Sequence, residues 1–193
     1  MAVKIYAIRH MPVDMSGICY GQSDVLAQAA SAQVLCKIHQ QLPCGFSLRT
    51  SVCRLYSSPL QRCVALAQAL FPAQVLISDV RLQELNFGDW ELQPWDAIER
   101  AQLDLWAQEP LAFCMPNGES FAQLIARVER WLASCVSHEE SEANNPLVAV
   151  THAGVIRALA VICGGASVKQ ALNLKAPFAS VHVFEYASSG KSH

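Results

Sequence analysis

Apolar residues along the chain follow two alternating rhythms. Short runs occur at Val3–Ile8, Arg54–Ser57, Val75–Ser78, Leu147–Thr151 and Val181–Tyr186. They are rich in β-branched residues and mostly unbroken by charge, as strands covered on both faces are. Between them, apolar positions recur at helical spacing. Leu26, Ala30, Val34, Ile38 and Leu42 step by four and predict a helix after Asp24, which stands as its N-cap. A second helix is predicted over Leu60–Leu70, stopping before Pro72. A third carries Phe121, Leu124, Ile125, Val128, Leu132 and Cys135 on one face. A fourth follows Gly154 and ends near Gly164-Gly165.

Strands alternating with helices predict an α/β fold of three layers, a mainly parallel sheet flanked by helices. The 193 residues suit one domain. The segment 91–117 lacks strand patterning and reads as a helical or irregular insertion lying over the sheet. The stretch His138–Pro146 reads as a polar loop, and Ser188–His193 as a frayed end.

Composition narrows the class. Hydrophobic residues make up 52% and charged ones 16%, enough apolar material for a sizeable core and too little charge for a disordered chain. A net charge of -2 offers no global basic field, so no nucleic-acid partner is expected. The eight cysteines form no CxxC pair and no zinc-finger spacing, so no metal is expected. Cys36, Cys63, Cys135 and Cys163 occupy apolar helix positions and read as reduced, buried small hydrophobes. No apolar leader and no run near the roughly 18–20 residues of a membrane span is seen. The expectation is a cytoplasmic protein with no membrane partner. Composition says nothing of the oligomeric state.

In open α/β sheets, ligands bind beyond the C-terminal ends of the strands. Three polar segments fall there: Arg9-His10, the "SSPLQR" of Ser57–Arg62 and the "THAGVIR" of Thr151–Arg157. Two histidines and two arginines meeting at one edge would make a compact dianion site, since guanidinium groups match phosphate oxygens. Gly154 and the helix start after it could add backbone N–H groups.

Taken in order, Arg9-His10, "SSPLQR", "LQELNFGDWE", Gly118-Glu119-Ser120 and "HAGVIR" resemble the histidine phosphatase superfamily, which includes phosphoglycerate mutases and α-ribazole phosphatases. The resemblance spans nearly the whole chain, and the segment "GICYGQSDVLA" is most similar to the α-ribazole phosphatase branch. It implies a phosphoglycerate mutase-like fold with the insertion over the active site. It also implies a phosphomonoesterase acting on a small phosphorylated metabolite such as α-ribazole 5′-phosphate, without a cofactor. Carried over by residue, His10 would be the nucleophile and Arg9 and Arg62 would clamp the phosphoryl oxygens. His152 would stabilise the charge of transfer, and Glu84 would protonate the leaving oxygen. Ser16, Tyr20, Gly21 and Ala153 complete the implied phosphate-binding set. Asp89 and Glu91, in the same segment as Glu84, are the other acids that could serve.

The chain departs from the family pattern at four places. Met11 stands where the family has Gly, and Asp14-Met15-Ser16 where it often has a phosphate-binding Asn, with Ser16 as the replacement. Leu66 replaces a common Thr, and Ala153 the first Gly after the second histidine. Two other functions share the pattern: a mutase-type phosphotransferase, and a non-catalytic member that only binds phosphorylated ligands. Arg157, one turn into its helix, reads as structural. His39, His138, His182 and His193 carry no assigned chemistry, and Trp90, Trp95, Trp106 and Trp131 read as packing residues.

Overall fold

The computed structural model describes residues 2–42, 53–136 and 145–187. Cys44, the loop residues 138–144 and the end segment 188–193 lie outside them. Five strands, β1 (Ala2–Arg9), β2 (Arg54–Ser57), β3 (Leu76–Ser78), β4 (Leu147–Thr151) and β5 (Val181–Ala187), form one sheet in the order β3-β2-β4-β1-β5. The first four run parallel, and β5 pairs antiparallel with β1 at the edge. The helices are α1 (Ala32–Gln41), α2 (Gln61–Leu70), α3 (Arg100–Gln108), α4 (Phe121–Val136), α5 (Ala153–Gly164) and α6 (Val168–Leu172).

The two-residue period of the strands explains the three layers. Val3, Ile5 and Ala7 of β1 and Leu147 and Ala149 of β4 face one core, built with α4 and α5. Tyr6, Ile8, Val148 and Val150 face the opposite core, built with α1 and α2. A one-residue slip of either strand would exchange the two sets. Every residue of β4 is buried, as its unbroken apolar run requires. Leu66 lies in the α1–α2 core at 2% exposure, so the leucine found in place of threonine serves packing. Burying such a side chain contributes about 1.5–3 kcal/mol.

The strand positions read from the sequence hold to within a residue or two. The first helix does not begin after Asp24. It starts at Ala32, with the Ser31 hydroxyl accepting from the Val34 N–H. Residues 25–30 are held instead by the segment that follows β1: Val13 bridges Ala27, and the Gln28 N–H donates to the Pro12 carbonyl. Leu26 is accordingly exposed. Asp24 does cap a helix, but it is α2, where its Oδ1 accepts from the Gln61 N–H at 2.8 Å. Helix α6 is an element beyond the four helices expected, opened by a reciprocal capping box between Ser167 and Gln170.

The insertion contains α3 and a ring cluster in which Trp95 stacks on Trp106 and Trp90 on Phe113. Its backbone bonds the loop after β1: Cys19 N–H to Gln93 O, Leu92 N–H to Cys19 O, and Trp95 N–H to Gly17 O. Cys63 and Cys135 are buried thiols, whereas Cys36 is exposed and Cys163 half-buried, which corrects the uniform burial expected of the four. Among the described residues, no helix is long and apolar enough to cross a membrane.

Candidate active site

The sheet itself brings the two histidines together. Arg9 is in register with Thr151, and Ser57 with Val150. The ladder then runs one residue past the strand ends. The His10 N–H donates to Thr151 O, and the Ser58 N–H to Val150 O, each at 3.0 Å. His10, His152 and Ser58 therefore stand side by side at one edge. The two imidazoles lie 5.1 Å apart, centre to centre, in an edge-on arrangement.

His10 is 2% exposed, and its Nδ1 lies 2.6 Å from the Met11 carbonyl. A carbonyl can only accept, so Nδ1 carries the proton and Nε2 keeps its lone pair. Burial pushes the His10 pKa down to about 3; the Met11 bond opposes this, and Arg62 and Arg9 reinforce it. The imidazole is thus neutral at pH 7 with Nε2 unprotonated. Met11 performs this task with its backbone while its side chain packs into the core beneath β1 and β4.

His152 is fully buried, and burial, followed by Arg62 and His10, holds its pKa well below the ordinary value. Its Nε2 is 2.9 Å from Ser58 Oγ and 3.4 Å from Cys63 Sγ. Ser58 Oγ also accepts from the Leu60 N–H, which fixes the hydroxyl oxygen beside the imidazole. Ser58 lay within a motif read from the sequence but was given no role there.

Two arginines flank the pair. Arg9 Nη1 donates to Ala176 O at 2.5 Å, and its guanidinium lies 3.9 Å over the Phe178 ring. Phe178 also packs 5.5 Å from His10. Burial lowers the Arg9 pKa, while Glu84 and Tyr20 act in the other direction. Arg62, at 1% exposure, sits at the second position of α2. Its Nη1 donates to Ser23 O at 2.7 Å and its Nη2 to Gly21 O. The Nε atoms of Arg9, Arg62 and Arg157 are buried without a protein partner. An oxyanion would satisfy such donors.

Glu84 reaches the start of α5. Its Oε1 accepts from Gly154 N–H at 2.9 Å and from Leu85 N–H at 3.0 Å, while its Oε2 is 3.3 Å from Gly154 N. The expectation that Gly154 would face an anion is corrected here, because its N–H goes to Glu84. A side chain at Gly154 would place a Cβ 2.2 Å from Glu84 Oε1, so the approach needs glycine. The Glu84 backbone is anchored from below. Its carbonyl accepts from Arg127 Nη2 at 2.8 Å, and Arg127 pairs with Glu119 at 2.6 Å. The acid of Gly118-Glu119-Ser120 thus supports the Glu84 segment from the other side of the sequence.

The remaining residues of the sequence-derived set divide. Tyr20 places its ring 5.6 Å from the Arg62 guanidinium, and burial raises its pKa against the pull of Arg9 and Arg62. Ala153 is buried at the first position of α5. Gly21 offers no free backbone group to a ligand, because its N–H goes to Glu91 and its carbonyl to Arg62. Ser16 is exposed in the turn closed by the Ile18 N–H on Met15 O. Asp89 is occupied by the Asn117 amide. Burial pushes the Glu91 carboxyl up, but the Ser23 hydroxyl and three backbone N–H groups more than offset it and hold it below the ordinary range. Of the three acids in this segment, only Glu84 sits against the start of α5 that follows His152. Among the described residues, no group of three or more His, Cys, Asp or Glu is placed to hold a metal ion.

Comparison with known proteins agrees with this geometry. Residues 5–192 match the family described as the histidine phosphatase superfamily (branch 1). A candidate phosphoserine phosphatase 2 of Hydrogenobacter thermophilus is 26% identical over 178 residues, covering 89% of this chain and 83% of that protein. The structure of mycobacterial glucosyl-3-phosphoglycerate phosphatase superposes with a TM-score of 0.77 at 23% identity, over 96% of this chain and 91% of that one. A candidate α-ribazole 5′-phosphate phosphatase of Escherichia coli K-12 superposes at 0.78 with 19% identity, over 97% and 92%. The sheet of mostly parallel strands flanked by helices is the phosphoglycerate mutase-like fold of these neighbours. The chain belongs to the histidine phosphatase superfamily, branch 1, and is a phosphoric monoester hydrolase.

Proposed function

We propose that this protein hydrolyses a small phosphomonoester in the cytoplasm through a phosphohistidine on His10, with α-ribazole 5′-phosphate or a similar metabolite as substrate. One observation carries the reading: a buried, neutral His10 whose Nδ1 proton is held by Met11 O, next to two arginines with unpartnered Nε atoms. In the first half-reaction Nε2 attacks phosphorus and the bond to the leaving oxygen breaks. Glu84 passes its proton to that oxygen, releasing an alcohol. In the second, water attacks the phosphohistidine, Glu84 takes back a proton, the N–P bond breaks and inorganic phosphate leaves. Oε2 is the oxygen suited to carry the proton, since Oε1 already accepts two N–H bonds. Arg9, Arg62 and His152 neutralise the phosphoryl charge; for this reaction class, positioning and electrostatics supply most of the catalysis.

The relatives are named for phosphoserine, glucosyl-3-phosphoglycerate and α-ribazole 5′-phosphate, which share a phosphomonoester on a small polar body. The segment Gly17–Ala27 supports the last of these. The test is a panel of these three esters plus an aryl phosphate, with monophosphoglycerate assayed with and without bisphosphoglycerate. Phosphate release with the highest kcat/KM on α-ribazole 5′-phosphate, lost in His10→Ala, is expected. Bisphosphoglycerate-dependent isomerisation would make the protein a mutase instead, and no turnover of any ester would make it a binder.

A further inference from the structure

Glu91 lies in the same segment as Glu84 but makes a different set of contacts. Its Oε2 accepts from Gly21 N–H at 3.0 Å, Ser23 N–H at 2.9 Å and Ser23 Oγ at 2.5 Å. Its Oε1 accepts from Gln22 N–H at 2.8 Å and Phe87 N–H at 3.2 Å. Three successive N–H groups converging on one anion form a nest, a backbone shape that needs negative charge at its centre. On the other side of this nest stands Arg62, bonded to the carbonyls of Gly21 and Ser23.

The Gly21–Gln22 peptide connects the two charges directly. Its carbonyl accepts from the Arg62 guanidinium, and its N–H donates to the Glu91 carboxylate. The peptide dipole is aligned with the field between them, so each bond strengthens the other. The approach is close: a Cβ on Gly21 would lie 2.0 Å from Leu85 O and 2.8 Å from Glu91 Oε1. Arg62 is thereby held by its two terminal nitrogens, which leaves the buried Nε without a protein partner. Its charge lowers the pKa of both His10 and His152.

We propose that Glu91 is a positioning residue that sets Arg62 through the Gly21–Ser23 loop, so that the free edge of the guanidinium meets the phosphoryl group. This rests on the reading of Arg62 as a phosphoryl ligand. The sign of one measurement separates it from a purely electrostatic role. Removing a negative charge near an anion site should by itself tighten anion binding. Losing the position of Arg62 should weaken it.

The experiment measures competitive inhibition by inorganic phosphate, with kcat and KM on an aryl phosphate, in the parent, Glu91→Gln, Arg62→Ala and the double variant. Glu91→Gln is expected to raise the phosphate inhibition constant by about 10-fold in the parent and by less than about 2-fold in the Arg62→Ala background, the non-additivity of residues acting through one group. Ser23→Ala removes one Glu91 bond and keeps both carbonyls; it should shift the constant in the same direction, by a smaller factor and only when Arg62 is present. It decides the matter should Glu91→Gln fail to fold. Tighter or unchanged phosphate binding in these variants, or equal weakening in both backgrounds, overturns the proposal. If Arg62→Ala itself leaves phosphate inhibition at the parent value, the reading of Arg62 falls and the role of Glu91 falls with it. If Arg62→Ala weakens inhibition and the other variants do not, only the role of Glu91 is lost.

Discussion

Lowering the pH should destabilise the protein through His10 and His152. Both imidazoles are buried and neutral in the fold, with His10 brought down to about 3 and His152 well below its ordinary value. In the unfolded chain each regains a pKa of about 6.5. Below that value the unfolded state binds more protons than the folded one, so stability falls as pH falls. The loss is confined to the window between the unfolded and folded values. Over about pH 7.5 to 5.5 each histidine removes about 1.4 kcal/mol, and the pair about 2.7 kcal/mol. That is a large share of the typical 5–15 kcal/mol of a domain. His182, half-buried and also lowered, acts in the same direction with a smaller share. Urea denaturation at the two pH values measures the loss in the parent, and in His10→Gln and His152→Gln it should shrink by about half. An equal loss in parent and variants would refute the assignment of buried neutral histidines.

Three further outcomes are expected. Glu84→Gln should slow hydrolysis of alkyl phosphates by about 100-fold or more and of activated aryl phosphates by less than about 10-fold, because only a basic leaving oxygen needs the proton. Parallel kinetics on both esters check it. Glu119→Gln leaves Arg127 as a half-paired, mostly buried cation and should cost about 3 kcal/mol in urea denaturation, with a fall in kcat as the Glu84 carbonyl loses its anchor. Turnover should be unchanged after dialysis against a chelator, since every step assigned here runs through His, Arg and Glu side chains; loss of activity restored by a divalent ion would contradict the mechanism.

What was legible in the sequence follows from what is local. The apolar run of β4 and the one-sided pattern of α4 are set by burial, and burial leaves a period in the residue order. The start of α1 was misplaced because the four-residue step continues through Leu26 and Ala30, where backbone contacts to Pro12 and Val13 overrule it. Asp24 is not the cap of the helix that follows it: its carboxylate accepts from an N–H 37 residues away at the start of α2, a partner that local sequence does not reveal. The Ser167-x-x-Gln170 box is a local signal that marks the start of α6 in the residue order. At the site, the ionic side chains stood out because charge at the end of an apolar run is conspicuous. The Met11 carbonyl, the Ala176 carbonyl and the Phe178 ring did not, because any residue has a carbonyl and an aromatic before a strand usually packs. Glu91 stands out only as an acid, because most of its partners belong to the Gly21–Ser23 loop about 70 positions away, which no spacing rule reaches.

The central claim is that His10 carries the phosphoryl group. Incubating the protein with a labelled phosphomonoester and quenching in alkali should trap one label per chain, stable to base and lost in acid, as a phosphorus–nitrogen bond behaves. Proteolysis should place it on the peptide containing His10, and His10→Ala should carry none. A label that persists in His10→Ala, or one stable to acid and lost in base as on a carboxylate, would contradict it.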